Sequence, residues 1–141
     1  VMADIPGLIK GAHKGIGLGT KFLGHIERCS VLLHLIDGTR DNLVDDYFVI
    51  RGELQKYGAG LENKLEFIVL NKADAINDKE IESKVQRFKD EGILKVFIFS
   101  SVSGIGKNIL LRDLFELVEN KKNERAEKLG DNHQMDVKWK P

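Results

Sequence analysis

Short apolar runs at residues 1–3, 31–36, 67–70 and 96–99, each bounded by polar or turn-forming residues, predict buried β-strands. The segments between them follow a helical period. Val44 and Phe48 share one face with Tyr47 and Leu54, and Ile81, Val85 and Phe88 follow at i, i+4, i+7. Leu111, Leu114, Phe115 and Val118 repeat that pattern further on. Strands alternating with helices in this way imply βαβ crossovers. The expected fold is α/β and Rossmann-like, a mostly parallel sheet with helices on both faces. In such folds ligands meet the loops that leave the C-terminal ends of the strands, so function is to be sought there.

The two ends of the chain read differently. The run at Val1-Met2-Ala3 begins without a start or capping signal, which predicts a fold truncated on its N-terminal side. Residues 121–128 are almost all charged, and Gly130-Asp131-Asn132 should break any helix they form. The domain is therefore expected over residues 1–120. A charged tail or linker is expected over 121–141.

Composition narrows the class. A chain of 141 residues, 42% hydrophobic and 31% charged, suits one folded domain rather than a disordered segment. Its 22 basic residues balance 22 acidic ones, so bulk charge offers no basis for non-specific nucleic-acid or membrane binding. No apolar run approaches the roughly 20 residues of a membrane helix, and no signal peptide opens the chain. Neither a membrane nor direct DNA binding is expected. The single cysteine, Cys29, excludes an internal disulfide and suits a reducing, cytoplasmic setting.

The loops after the predicted strands carry the chemistry. After the first comes Asp4-Ile5-Pro6-Gly7. An Asp at a strand end can hold Mg2+, directly or through water, and Gly7 would let a backbone N–H approach a phosphate oxygen. A plain Pro-Gly turn would look the same. After the third comes Asn71-Lys72-Ala73-Asp74. A fixed Asp74 carboxylate could accept from both guanine donors, the ring N–H and the exocyclic amine. Adenine has no donors at those positions, and a site built to pair a donor rejects the analogue lacking it, by about 10⁴-fold at the upper end. Asn71 would tie the loop and reach the other edge of the base, while the aliphatic stem of Lys72 covers its face. The bland reading is a helix start with polar caps. After the fourth strand, Ser100, Ser101 and Val102 could present backbone amides to the base carbonyl, or merely cap a helix.

In this order and spacing, the three loops resemble the third, fourth and fifth motifs of translation-factor-class GTPases. The stretch from Asp4 to Arg28, with its glycines, resembles the switch II segment of the Obg GTPases. The resemblance extends to about Val118. It implies a P-loop GTPase core that binds GTP/GDP with Mg2+ and hydrolyses GTP to GDP and phosphate. It further implies a switch acting with the large ribosomal subunit in assembly and in stress response. Gly11, Gly15, Gly17 and Gly19 would be joints of the mobile switch, although a merely flexible loop would need the same residues.

Several departures qualify that picture. Ser101 stands where the family usually has Ala. No G-x-x-x-x-G-K-[ST] loop exists in the chain; Gly104-Ile105-Gly106-Lys107-Asn108 imitates one, but has Ser101 and Asn108 at the deciding positions. The chain alone is therefore expected to bind nucleotide weakly and to be inactive, its longer parent being the enzyme. Leu8 occupies the place where many GTPases carry a water-orienting glutamine, so hydrolysis is expected to be slow and no catalytic residue is assigned. His13, His25, His34 and His133 show no metal spacing, and Cys29 suits packing better than nucleophilic chemistry. Trp139 could anchor the tail. The alternative function is a nucleotide-independent interaction module on the same fold. A receiver-type or flavin-binding domain would leave Asn71-Lys72-Ala73-Asp74 unexplained.

Overall fold

A computed structural model of the chain describes Met2, Asp4 and residues 29–58 and 60–135, with only the backbone of Tyr57, Arg125 and residues 129–135. The expected first strand lies outside these residues except for Met2, as do Ile5, Pro6, Gly7, Leu8, the switch glycines and Trp139.

Three strands, β1 (Val31–Asp37), β2 (Leu65–Asn71) and β3 (Val96–Ile98), form a parallel sheet in the order β1-β2-β3. The register aligns Val31 with Leu65 and Asp37 with Asn71, so β1 and β2 end level at the edge where loops are expected to act. Helix α1 (Leu43–Tyr57) joins β1 to β2, and α2 (Asp78–Asp90) joins β2 to β3. The α/β class and the parallel sheet are as the hydrophobic pattern implies.

Alternation along the strands sends even-numbered side chains to one face. Ile36, Ile68 and Leu70 pack there with Leu43 and Tyr47 of α1 and Phe88 of α2, and Ile81, Val96 and Ile98 close in around them. Phe88 is fully buried and lies edge-on to Tyr47, 6.0 Å between ring centroids. Phe48, expected to share this face, is instead exposed. At 100° per residue the buried stripe of α1 runs through Leu43, Tyr47 and Leu54, and Phe48 falls beside it.

β2 starts two residues before its apolar run because Glu66 is compensated rather than solvated. Its carboxylate takes the His34 ring nitrogen at 2.8 Å, the Tyr47 hydroxyl at 3.2 Å and the Arg51 guanidinium at 3.3 Å. Burial, and then the nearby Glu66 charge, push the Tyr47 phenol above its ordinary pKa.

α2 starts at a capping box: the Asn77 side chain accepts from the Glu80 N–H at 3.0 Å, and Glu80 Oε2 accepts from the Asn77 N–H at 3.2 Å. A second compact unit, residues 108–141, holds most of α3 (Lys107–Met135). Within α3, Leu110 is buried and Leu114, Leu117 and Val118 are half-buried, a stripe at i, i+4, i+7, i+8, whereas Leu111 and Phe115 are exposed. The helix also continues through Gly130, where a break was expected. One Gly costs about 1 kcal/mol and does not stop a helix already propagating. No helix among the described residues is long and apolar enough to cross a membrane.

Candidate functional site

Two of the three expected loops meet at the end of the sheet. The Phe99 N–H donates to Leu70 O at 2.9 Å, and the Ala73 N–H returns a bond to Phe99 O at 3.0 Å. These backbone bonds bring the segment after β2 beside the segment after β3. Side chains complete the join. Asn71 Oδ1 accepts from the Ser101 N–H at 3.1 Å, so Asn71 ties the loops together as its amide chemistry allows. The Ser100 hydroxyl, fully buried, donates to Asp74 Oδ1 at 2.5 Å and accepts from the Ser103 N–H at 3.0 Å.

That hydroxyl fixes the Asp74 carboxylate without consuming it. Each carboxylate oxygen has two acceptor directions, so an exposed Asp74 held by one donor retains three. A carboxylate in that state can accept a pair of parallel N–H bonds from one planar ligand edge. Of the amides offered by Ser100, Ser101 and Val102, the first two are engaged, Ser100 N–H with Ile105 O at 3.0 Å and Ser101 N–H with Asn71. Val102 is 88% exposed, and its N–H has no partner among the described residues.

Lys72 between them is strained. It has φ 62° and ψ 33°, the only described non-glycine residue with positive φ. A side chain there costs about 1–2 kcal/mol and persists only where the surroundings impose it. The bonds of its neighbours Asn71 and Ala73 impose it here. The Lys72 ammonium lies 2.7 Å from Asp37 Oδ2 at the end of β1. Asp37 Oδ1 accepts from the Thr39 N–H at 3.0 Å and the Thr39 hydroxyl at 2.7 Å. The Lys72 bond, followed by those of Thr39, lowers the Asp37 carboxyl to about 2.

Glycine is required at Gly106, where a Cβ would lie 1.9 Å from Ile98 O at φ +73°. Gly104-Ile105-Gly106 is thus a tight return against β3 and not a phosphate cradle, as the missing hydroxyl position implied. Two shallow concavities lie elsewhere, about 260 Å³ beside Asp41, Val44 and Arg87 and about 400 Å³ beside Phe48, Arg51 and Glu62. Neither includes a residue of the joined loops. Asp4 is exposed, and no group of three potential metal ligands forms among the described residues.

Sequence reasoning missed Asp37 and Thr39, and it gave Ser100 only a backbone role. The signal was present: Asp37-Gly38-Thr39 follows an apolar run directly, as the other candidate loops do.

The chain that carries these loops is similar to known proteins. The family model described as "50S ribosome-binding GTPase" matches residues 1–72, from the first loop through β1, α1 and β2 to Lys72. The chain belongs to this GTPase family. Similar curated relatives are the GTPases Obg. That of Rickettsia massiliae strain Mtu5 is 48% identical over 120 residues, 85% of this chain and 36% of the relative. That of Rickettsia prowazekii strain Madrid E is 47% identical over 122 residues, 86% of this chain and 37% of the relative. The chain therefore spans little more than a third of the length of these relatives. The match to the Obg GTPases agrees with the resemblance seen in the residues between Asp4 and Arg28.

Proposed function

We propose that this chain supplies the base-reading half of a GTP-binding switch. The observation that carries the reading is the Ser100–Asp74 bond, which orients an exposed carboxylate beside the Asn71–Ser101 tie. Asp74 accepts from the guanine ring N–H and exocyclic amine, Lys72 lays its stem on the base, and the base carbonyl faces the amide of Val102. Adenine leaves the carboxylate unpaired and is rejected.

The rest of the proposal extends from family membership to a whole protein. That protein binds GTP and GDP, hydrolyses GTP slowly, and works in the cytoplasm on the large ribosomal subunit, in assembly and in stress response. Asp4 fits a magnesium site, because Mg2+ keeps most of its waters and takes one or two carboxylates together with phosphate oxygens. The ion would neutralise charge on the phosphates. Ile5, Pro6 and Gly7 would contribute backbone contacts to the same phosphates, and Gly11, Gly15, Gly17 and Gly19 would serve as the joints of the switch. Leu8 offers no polar group to a water, so the rate rests on positioning and charge neutralisation.

The test is Asp74→Asn, assayed with GDP and with XDP, in which a carbonyl replaces the exocyclic amine. The variant should lose GDP affinity by at least about tenfold and gain XDP affinity. Unchanged affinity for both would favour an interaction module that uses the fold without the nucleotide.

A further inference from the structure

We infer that Asp37, held by Thr39, is the positioning residue for Lys72, setting the lysine stem across the guanine-reading loop before any nucleotide arrives. The inference rests on the guanine reading of Asp74 and deepens it.

Lys72 is half exposed, and a lone surface lysine samples many rotamers. An ordinary surface ion pair would not hold it, because such pairs are weak and easily exchanged. This pair differs in that both backbones are fixed. On one side, Lys72 is locked in the left-handed conformation between two loop-joining bonds. On the other, the whole turn after β1 is gripped. The Gly38 N–H donates to Asn71 O at 2.8 Å, and a Cβ at Gly38 would lie 2.6 Å from that same oxygen. Lys84 of α2 donates to Gly38 O at 2.6 Å and to Arg40 O at 2.9 Å, and Arg87 donates to Asp41 O at 2.7 Å.

The Asp37 carboxylate divides its labour. One oxygen is taken by Thr39 and the other is turned to Lys72, so its orientation does not depend on the lysine. Since Asp37 and Asn71 are register partners, the ammonium is drawn from the end of β2 towards the end of β1. The four-carbon stem is thereby tethered at both ends, at its own backbone and at Asp37. A side chain so pre-ordered has less freedom to lose when a base stacks beneath it.

Asp37→Asn is the informative change. The amide oxygen still accepts from Thr39, so the turn survives, and only the charge facing Lys72 is lost. GDP affinity of the chain, followed by NMR titration, should fall about three- to fivefold. The thermal midpoint should stay within about 2 °C. Lys72→Met should weaken GDP by at least as much, and the double variant should bind no worse than Lys72→Met alone, because Asp37 acts only through that lysine. Asp74→Asn serves as the control. If it exchanges GDP for XDP while Asp37→Asn binds GDP like the parent, the positioning role is overturned and the guanine site stands. If Asp74→Asn changes nothing, the guanine reading falls and the role of Asp37 falls with it. Additive losses in the double variant would also overturn the proposal, even if Asp37→Asn is itself destabilised.

Discussion

Lys72 concentrates at one residue the backbone strain that the proposed site would require. Its left-handed backbone is unfavourable for a side chain, and glycine would adopt it freely. Lys72→Gly should accordingly raise unfolding stability, by up to about 1 kcal/mol after the Asp37 ion pair is lost, while weakening guanine binding. Denaturant melts together with a GDP titration would check both halves. A variant that lost stability would mean that the ion pair outweighs the backbone strain. The residue scale is also where the sequence was least explicit. The tie made by Asn71 was legible because its amide stands where one loop leaves a strand beside another. The buried Ser100 hydroxyl was not, since a serine before a helix reads as a cap until its partner is known. Asp37 was hidden because its contact is with Lys72, 35 positions away and next to its register partner Asn71.

At the scale of elements, the apolar runs located the described strands to within two residues, and the misses share a cause. The charge of Glu66 hides the start of β2 from the apolar pattern; only the fold brings His34, Tyr47 and Arg51 to it. Phe48 fits the periodic pattern of a buried face yet is exposed, because such a pattern cannot fix the centre of a stripe to better than one residue. The return after β3 matters more to function. Gly106 lets the chain turn back against Ile98, and that turn sets Ser100 against Asp74 and Ser101 against Asn71. Gly106→Ala puts a Cβ into a carbonyl oxygen at positive φ, so it should cost at least about 2 kcal/mol. The loss should appear in denaturant melts. Amide shifts at residues 71–74 should move as well, because the two loops are one unit. A variant as stable as the parent would contradict the close packing of that return.

At the scale of the whole molecule, the chain combines the edge proposed to read the base with no phosphate-loop sequence, and it covers little more than a third of the Obg GTPases it resembles. Backbone amides, a lysine and magnesium on a triphosphate are charge-assisted contacts of roughly 1.5–3 kcal/mol each, and two or three of them amount to about 10³-fold or more in affinity. The 141-residue chain should therefore select guanine but hold it weakly. Titration of the isotope-labelled chain with millimolar GDP and ADP, read amide by amide, tests that selection directly. The account predicts saturable shifts with GDP centred on residues 71–75 and 100–102, at a dissociation constant of roughly 0.1–10 mM, and none there with ADP. Equal responses to the two nucleotides, or silence at those loops with GDP, would contradict it.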